Sequence, residues 1–357
     1  MEIDSSFWSQ QRILITGHTG FKGSWLSLLL KHQGSELFGL SNPPPTSPNL
    51  YQLAKVSSLL VDESIDDVTD FQAVDKAIKM IEPTIIFHLA AQPLVLESYR
   101  DPLTTFSSNV MGTANILQAA RTCSSLKAVV VITTDKCYAD NTDGRPHKEN
   151  DRLGGYDPYS ASKACAEIVA SSFARSFYQD QPETNLATAR AGNVIGGGDW
   201  AQDRLIPDCV RALEHERPII LRNPNSVRPW QHVLDPLRGY MLLVQYLCSN
   251  KQQSLAWNFG PDINQRVTTK QLAEIAKQAW GEGSIEYHDS HSDLVETNVL
   301  RLDSTKAKET LNWQALWDTK TAVIKTIEWY RSVHDGDTAL SATQRQIVDY
   351  LSYVDRN

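Results

Sequence analysis

The sequence of 357 residues lacks features that would place it in several classes of protein. Basic residues are not in excess: 34 Lys and Arg against 42 Asp and Glu give a net charge of −8, which argues against a groove for DNA or RNA. It has no run of about 20 apolar residues, so we expect no membrane span. It also shows no internal repeat and no low-complexity segment.

Cysteine is sparse and has no metal-binding or redox spacing. The five cysteines form no C-x-x-C pair, as is typical of reduced thiols that serve as small core residues. The first residues, MEIDSSFWSQQ, contain two acids and no apolar core, so we expect no signal peptide. The stretch HDSH (288–291) lacks supporting ligands, so no metal site is expected. These observations predict a cytoplasmic protein that binds neither nucleic acid nor membranes.

Short apolar runs alternate with helical patterns through the first half of the chain. We predict strands at 12–16, 36–40, 84–91 and 128–133, a further candidate strand at 59–62, and a loop at 42–49. The spacing of apolar residues predicts helices at 21–32, 70–82, 269–280 and 319–334. The runs at 84–91 and 128–133 are continuously apolar, as in strands covered on both faces of a parallel sheet.

This alternation predicts an α/β fold, a doubly wound parallel sheet of the Rossmann type with right-handed crossovers. After Arg190 the pattern loosens into segments rich in Gly, Asn, Pro, Arg and Trp. We therefore expect a dinucleotide-binding domain at 1–190, with returns near 231–262. Residues 191–357 would mainly form a smaller, mixed lobe for the substrate.

A glycine-rich loop, ITGHTGFKGSW, follows the first predicted strand and opens the first predicted helix. Its spacing is G-x-x-G-x-x-G, in which glycine permits a tight turn and lets the backbone approach a diphosphate at a helix N-terminus. The strand before and the helix after are the context that the motif requires. A turn that serves only packing is the alternative. The predicted cofactor-binding residues of this loop are Gly17, Thr19, Gly20, Phe21, Lys22 and Gly23.

The identity of the dinucleotide depends on the end of the second strand, where Leu40, Ser41 and Asn42 include no acid for the adenosine ribose. No arginine stands there to bind a 2′-phosphate, so NAD is favoured over NADP. Asp67, with Val68 beside it, is a candidate for the adenine end, and a helix-leading acid is the alternative. Lys22 would reach a phosphate or remain an exposed loop lysine.

Tyr159 and Lys163 lie four residues apart in YDPYSASKACAE, which puts them on one face of a helix. Tyrosine, with a pKa of about 10, is a poor base at neutral pH, but a nearby ammonium favours the phenolate. Such a pair can take a proton from a hydroxyl while a nicotinamide accepts the hydride. Y-x-x-x-K also occurs by chance on amphipathic helices. Together with the glycine loop and with Thr134 at a strand end, it becomes specific.

These motifs resemble the extended short-chain dehydrogenase/reductase family. The matching segments, over about residues 10–330, are TGHTGFKG, HLAAQ (88–92), Asn109 in SNVMGT, Thr134, YSASK and RAGNVIGGGDW. The resemblance implies Tyr159 as the base, Lys163 as ribose binder and modulator of the tyrosine pKa, and Thr134 as the partner of a sugar hydroxyl. It also implies NAD as cofactor and a homodimer or homotetramer. Further cofactor contacts would come from Leu89, Ala90, Ala91 and Asn109.

The stretch TTDKCY places Asp135 and Lys136 after Thr134, where the sugar-nucleotide 4,6-dehydratases of this family carry Thr-Asp-Glu and the 4-epimerases lack the pair. The overall likeness to these dehydratases, together with Lys136 in the position of the glutamate, implies CDP-glucose as substrate. The sugar would be oxidised at C4 and then dehydrated across C5 and C6. That elimination requires a proton acceptor and a proton donor close together. Asp135 could be the acid and Lys136 the base, or Asp135 could make both transfers while a charged Lys136 stabilises the enolate. A solvated ion pair is the non-catalytic alternative.

Two arginines in the second half, Arg204 in DRLIPD and Arg228 in VRPWQHV, would bind the substrate diphosphate by resemblance, with Asn193 and Leu205 beside them. A guanidinium suits this role because it donates two parallel hydrogen bonds. The product would supply 3,6-dideoxyhexose synthesis for surface polysaccharide. Competing hypotheses are another nucleotide-sugar 4,6-dehydratase, a 4-epimerase, or a non-catalytic NAD-binding sensor.

Overall fold

The computed structural model describes residues 1–141, 143–179, 184–250, 255–287 and 300–354. Its strands are β1 (Arg12–Thr16), β2 (Glu36–Leu40), β3 (Asp62–Ser64), β4 (Ile85–His88), β5 (Ala128–Ile132), β6 (Asn185–Ala191), β7 (Val194–Ile195), β8 (Ile219–Leu221), β9 (Gln231–His232), β10 (Ala256–Phe259) and β11 (Ile285–Tyr287). Its helices are α1 (Ser5–Trp8), α2 (Phe21–His32), α3 (Leu50–Leu53), α4 (Phe71–Ile81), α5 (Val95–Arg100), α6 (Pro102–Phe106), α7 (Gly112–Ala120), α8 (Pro158–Phe173), α9 (Leu205–Glu214), α10 (Leu234–Ser249), α11 (Thr269–Trp280), α12 (Thr305–Leu311), α13 (Thr319–His334) and α14 (Ala339–Val354).

The main sheet has the predicted doubly wound architecture. Among the described residues it contains seven strands in the order β10-β6-β5-β4-β1-β2-β3, and all neighbours in it are parallel. Two small sheets, β11 with β8 and β7 with β9, come from the second half of the chain. The strand order reverses between β1 and β4. Ligands of such sheets bind outside the carboxyl ends of the strands at this reversal.

The sheet is buried on both faces, which explains the continuous apolar runs. In β5, Ala128, Val130 and Ile132 belong to one core cluster, whereas Val129 and Val131 belong to the cluster on the opposite face. Side chains of a strand alternate between faces, so a strand covered twice must be apolar throughout. No helix among the described residues is long and apolar enough to cross a membrane.

The periodicity of the sequence predicts most elements correctly. The strands at 12–16 and 36–40 and the helices at 21–32, 269–280 and 319–334 are confirmed at both ends.

Three further predictions were one to three residues too long at an end. The helix predicted at 70–82 spans Phe71–Ile81, because the Asp70 side chain accepts hydrogen bonds from two backbone amides and caps it. The strand predicted at 84–91 is Ile85–His88, and the one predicted at 128–133 ends at Ile132.

The strand predicted at 59–62 was wrong. Leu59 ends a 3₁₀ turn (Val56–Leu59), and the strand is the polar segment Asp62–Ser64. Within the described part of the chain, this strand forms an edge of the sheet and pairs with β2 alone, so burial does not require it to be apolar. Apolar runs therefore do not locate such an edge strand.

Candidate active site

The glycine loop between β1 and α2 lies against the end of β4. Gly17 has φ +77°, and a Cβ at this position would lie 2.7 Å from the Ala90 backbone nitrogen. A Cβ at Gly23 would lie 2.1 Å from the Gly17 carbonyl oxygen. Gly20 is the N-cap of α2 and makes no side-chain hydrogen bond to the first amides of the helix. These features fit a dinucleotide diphosphate, which requires close backbone approach at a helix N-terminus.

The end of β4 is tied to β1 beside this loop. The Leu89 amide donates to the Thr16 carbonyl oxygen (3.1 Å), and the Ala90 amide donates to the Thr16 hydroxyl (3.2 Å). Ala91 follows in the same half-buried segment. The predicted cofactor residues 89–91 therefore lie at the reversal of strand order.

The end of β2 lacks an acid of its own, but the structure brings Asp67 to it. The Asn42 side-chain amide donates to Asp67 Oδ2 (3.1 Å), and the Thr19 hydroxyl donates to the Asn42 carbonyl oxygen (2.8 Å). Burial raises the pKa of Asp67, but hydrogen bonds from Thr69 and Asn42 leave this pKa below its usual value. A charged carboxylate is therefore available where the sequence predicts the adenine end of the cofactor.

Asn109 lies in a π-helical turn (Ser107–Met111) that joins α6 to α7. Its Oδ1 accepts from the Gln92 amide (2.8 Å), and its Nδ2 donates to the Gln92 carbonyl oxygen (3.1 Å) and to Ser162 Oγ (2.8 Å). These bonds link the segment after β4 to α8. The extra residue of a π turn is often found at functional sites. Val68 packs close to Gly112, at the end of this turn.

Thr134, Tyr159 and Lys163 come together at the carboxyl end of β5. The side chain of Asp157 caps α8, so Tyr159 stands in the first turn of the helix. Lys163 is buried, and its Nζ donates to the Ile132 carbonyl oxygen (3.2 Å) at the end of β5. Thr134 lowers the pKa of Tyr159, an effect that requires the two side chains to lie close together. The predicted triad is thus spatially assembled.

Burial controls the acidity of the triad. It raises the pKa of Tyr159 to about 12, against the opposing effects of the Thr134 hydrogen bond and the Arg204 charge. It lowers the pKa of Lys163 to about 8, against the charge of Glu167. The positive charges facing Tyr159 would therefore decide when this tyrosine loses its proton.

Asp135 is buried, with 2% of its surface exposed, which does not fit a solvated ion pair. Its Oδ1 accepts from the Thr134 hydroxyl (3.1 Å), whereas its Oδ2 has no hydrogen-bond partner among the described residues. Burial raises the pKa of Asp135 to about 6, although Lys136, Thr134 and Arg228 lower it. A carboxyl group with this pKa can donate or accept a proton near neutral pH.

The two arginines predicted to bind the substrate diphosphate act on the same cluster. Arg228 is buried, and its charge acts on Asp135. Arg204 Nη1 lies 2.8 Å from Asp199 Oδ2 and precedes Leu205 at the start of α9. Asn193 lies between β6 and β7, where its carbonyl oxygen accepts from the Gln231 amide (3.0 Å). The charge of Arg204 acts on Tyr159 and that of Arg228 on Asp135, so guanidinium groups from two distant segments lie near the predicted catalytic residues.

Lys22 is half-buried, so the alternative of an exposed loop lysine was wrong. Its Nζ lies 3.4 Å from the Tyr240 hydroxyl oxygen. Burial and the charges of Lys163 and Arg204 lower the pKa of Lys22 to about 7, whereas Asp135 raises it. The charges of the predicted site residues therefore act on the Lys22 amine, and a contact with a cofactor phosphate stays a prediction.

Four residues around the site were not predicted. Gly192 is one, because a Cβ there would lie 2.9 Å from Asp135 Oδ2. Tyr240 beside Lys22 and the buried pair of Glu167 and Arg190 are the others. The sequence contained a signal for Glu167, which follows Lys163 by four residues and so lies on the same face of α8.

The described residues hold no cluster of three possible metal ligands, and HDSH (288–291) lies outside them.

Comparison with known proteins identifies the family. The model of the GDP-mannose 4,6 dehydratase family matches residues 14–326. The CDP-glucose 4,6-dehydratase of Salmonella typhimurium is 42% identical over 359 residues, covering 99% of this chain and 100% of that protein. The chain therefore belongs to the nucleotide-sugar 4,6-dehydratase family of extended short-chain dehydrogenases/reductases.

Solved structures share the fold. The UDP-glucose 4-epimerase of Thermotoga maritima with UDP-glucose superposes with a TM-score of 0.77 at 22% identity, covering 90% of this chain and 99% of that one. The Thermus thermophilus UDP-glucose 4-epimerase complex with NAD gives a TM-score of 0.76 at 22% identity, with the same coverage. Both confirm the Rossmann-type architecture.

Proposed function

We propose that this protein is a CDP-glucose 4,6-dehydratase, which converts CDP-D-glucose to CDP-4-keto-6-deoxy-D-glucose. The observation that carries the proposal is the buried Asp135, which hydrogen-bonds Thr134 beside Tyr159 and has a pKa of about 6. A 4-epimerase needs no elimination acid or base. The 42% identity to the Salmonella typhimurium CDP-glucose 4,6-dehydratase supports both the reaction and the cytidine nucleotide.

The residues of the cluster divide the work of C4 oxidation. Bound NAD would supply the hydride chemistry: the hydride lost from C4 returns at C6 while a proton returns to C5, so the cycle has no net redox change. Tyr159 takes the proton of the C4 hydroxyl, and Thr134 hydrogen-bonds that hydroxyl. Lys163 holds the nicotinamide ribose and provides a positive charge near the phenolate. The glycine loop binds the diphosphate of NAD, and Asp67 lies at the adenine end of the cofactor.

Asp135 and Lys136 carry out the elimination that follows. The C4 ketone acidifies the C5 proton, a base removes it, and an acid protonates the C6 hydroxyl so that water leaves. Asp135 is the acid if Lys136 is the base. If Lys136 instead stays charged and stabilises the enolate, Asp135 makes both proton transfers.

Substitution of Lys136 separates these two mechanisms. If Lys136 is the base, Lys136→Met should slow water loss by about 10²–10⁴-fold, and Lys136→Glu should restore part of it. If Lys136 only stabilises charge, Lys136→Glu should be worse than Lys136→Met, because a second carboxylate opposes the enolate. The measurement is the pH–rate profile of water loss, with Lys148→Met, an exposed lysine, as control. Wild-type rates in Lys136→Met would remove Lys136 from the mechanism.

Mass spectrometry of four nucleotide sugars tests the proposed function. The protein would be incubated separately with CDP-, dTDP-, GDP- and UDP-glucose, with NAD supplied and its reduction followed. We expect CDP-glucose alone to lose the mass of one water, without accumulation of NADH. Water loss from another nucleotide sugar would keep the mechanism and discard the cytidine assignment. Unchanged masses for all four would contradict the dehydratase and favour a 4-epimerase or a sensor.

We also propose binding regions and a location in the cell. Residues 1–190, with returns near 231–262, would hold NAD, in agreement with β10 joining the main sheet. Residues 191–357 would mainly hold the nucleotide sugar, with Arg204 and Arg228 on its diphosphate and Asn193 and Leu205 beside it.

All five cysteines are free thiols, which supports a location in the cytoplasm. The product would enter 3,6-dideoxyhexose synthesis for surface polysaccharide.

A homodimer or homotetramer is proposed for the assembly. Exposed apolar side chains support it on the segment from α6 to α7 and on α8, where Leu103 is 81%, Met111 54% and Ile168 57% exposed. We expect the double substitution Leu103→Glu with Ile168→Glu to yield a smaller species in size-exclusion chromatography with light scattering. Met80→Glu, at a 67% exposed position on α4, is the matched control. An unchanged mass of the double variant would place the interface elsewhere.

A further inference from the structure

Glu167 and Arg190 form a buried ion pair beneath the catalytic residues. Arg190 Nη2 lies 2.7 Å from Glu167 Oε2, and the two side chains are 4% and 1% exposed. Burial of two charges costs desolvation energy, so such a pair is weak evidence for a contribution to the stability of the fold. A role in positioning neighbouring residues explains its presence better.

Each member of the pair also holds one end of the catalytic turn. Glu167 Oε1 accepts from the Thr133 hydroxyl (2.5 Å), directly before Thr134. Arg190 Nη1 donates to the Tyr138 hydroxyl oxygen (2.7 Å), and this hydroxyl donates to Asn258 Oδ1 (2.7 Å). Asp135 and Lys136 lie in the short 3₁₀ turn between these two anchors.

The same pair connects this turn to the catalytic helix. Glu167 lies on α8, four residues after Lys163. Glu167 Oε2 also accepts from Thr188 on β6 (2.8 Å), which fixes the carboxylate to the sheet. Lys163 has a separate anchor on the Ile132 carbonyl oxygen, and Thr134 directly follows Thr133 at the end of β5. Loss of the Tyr138 anchor would therefore release Asp135 and Lys136 more than Thr134, Tyr159 or Lys163.

We propose that Glu167, Arg190 and Tyr138 are positioning residues for the elimination step. They hold Asp135 and Lys136 in a fixed position relative to Tyr159. The inference rests on the proposed dehydratase function. Its physical basis is that a proton donor and acceptor act only at hydrogen-bond distance from the reacting atoms. A displacement of about 1 Å by a substitution away from the chemistry can cost about 10²-fold in rate.

Tyr138→Phe is the sharpest test because it removes one hydroxyl and keeps the ring, which stacks on His147 at 4.6 Å. With CDP-glucose and NAD, we expect water loss to slow by about 10–100-fold. The initial rate of NADH formation should stay near that of the wild type, so that NADH accumulates. Tyr178→Phe is the matched control, since Tyr178 is also buried and donates its hydroxyl to the Leu117 carbonyl oxygen (2.9 Å). It should not accumulate NADH.

The ratio of NADH formed to water lost is decisive, because a general loss of folded protein lowers both equally. Equal slowing of both steps in Tyr138→Phe, or no change in either, would overturn the positioning role. If Tyr138→Phe does not fold, Arg190→Lys gives the same readout, since an ammonium keeps the charge that pairs with Glu167 but lacks the second guanidinium nitrogen that donates to Tyr138. Absence of water loss in the wild type would instead contradict the proposed function itself.

Discussion

Asp135→Asn is expected to stop water loss from the nucleotide sugar while C4 oxidation continues, so that NADH accumulates. The amide keeps the size of the carboxyl group and can still accept the hydrogen bond from Thr134, which is 3.1 Å long in the native protein. It can neither release nor take up a proton. Since general acid–base catalysis contributes about 10²–10⁴-fold, we expect water loss to fall by that factor.

Asp235→Asn is the matched control for this substitution. Asp235 is also buried and also has a pKa raised by burial to about 6, but it accepts hydrogen bonds from Tyr350 and Leu316 in the core. Water loss and NADH are measured together in both variants. Water loss at the wild-type rate in Asp135→Asn would exclude Asp135 from the elimination.

The pH dependence of the elimination shows which way Asp135 transfers its proton. As the acid, Asp135 must be protonated before it reacts, so water loss should fall as the pH rises through about 6, the value to which burial raises its pKa. As the base it must be ionised, so the rate should fall as the pH drops through the same value. The rate of water loss between pH 5 and 8, measured in single turnovers, distinguishes the two directions.

Tyr159→Phe is expected to abolish the first step, so that neither NADH nor the dehydrated product forms. The substitution removes the hydroxyl that, in the proposed mechanism, takes the proton of the sugar C4 hydroxyl. We expect NADH formation to fall by about 10²–10⁴-fold, the usual contribution of a general base.

The comparison of Tyr159→Phe with Asp135→Asn tests whether Tyr159 acts in C4 oxidation and Asp135 in the elimination of water. The first should form no NADH, whereas the second should accumulate it. Single-turnover absorbance of NADH is the measurement, and binding of the nucleotide sugar by calorimetry checks that the Tyr159→Phe site is intact. Normal NADH formation in Tyr159→Phe would show that another group accepts the C4 proton.

Local spacing was sufficient to predict the architecture and part of the site. The strands at 12–16 and 36–40 and the helix at 21–32 were predicted to the residue, because burial sets a characteristic period within a single element. The neighbours Tyr159 and Lys163 were placed on one helix face for the same reason, and the glycine loop was recognised from its strand and helix context. Such features depend on residues within a few positions of each other.

Tertiary structure was required wherever partners lie far apart in the chain. Asp67 reaches the end of β2 through Asn42, and the Lys22 ammonium meets Tyr240 across 218 positions. The edge strand Asp62–Ser64 escaped prediction because it pairs on one side and need not be apolar. The near-neutral pKa of Asp135 arises from burial, which cannot be read from the local sequence. The packing of distant segments around the end of the sheet determines these contacts and pKa values. The reason is that burial and neighbouring charges together set the pKa of a group.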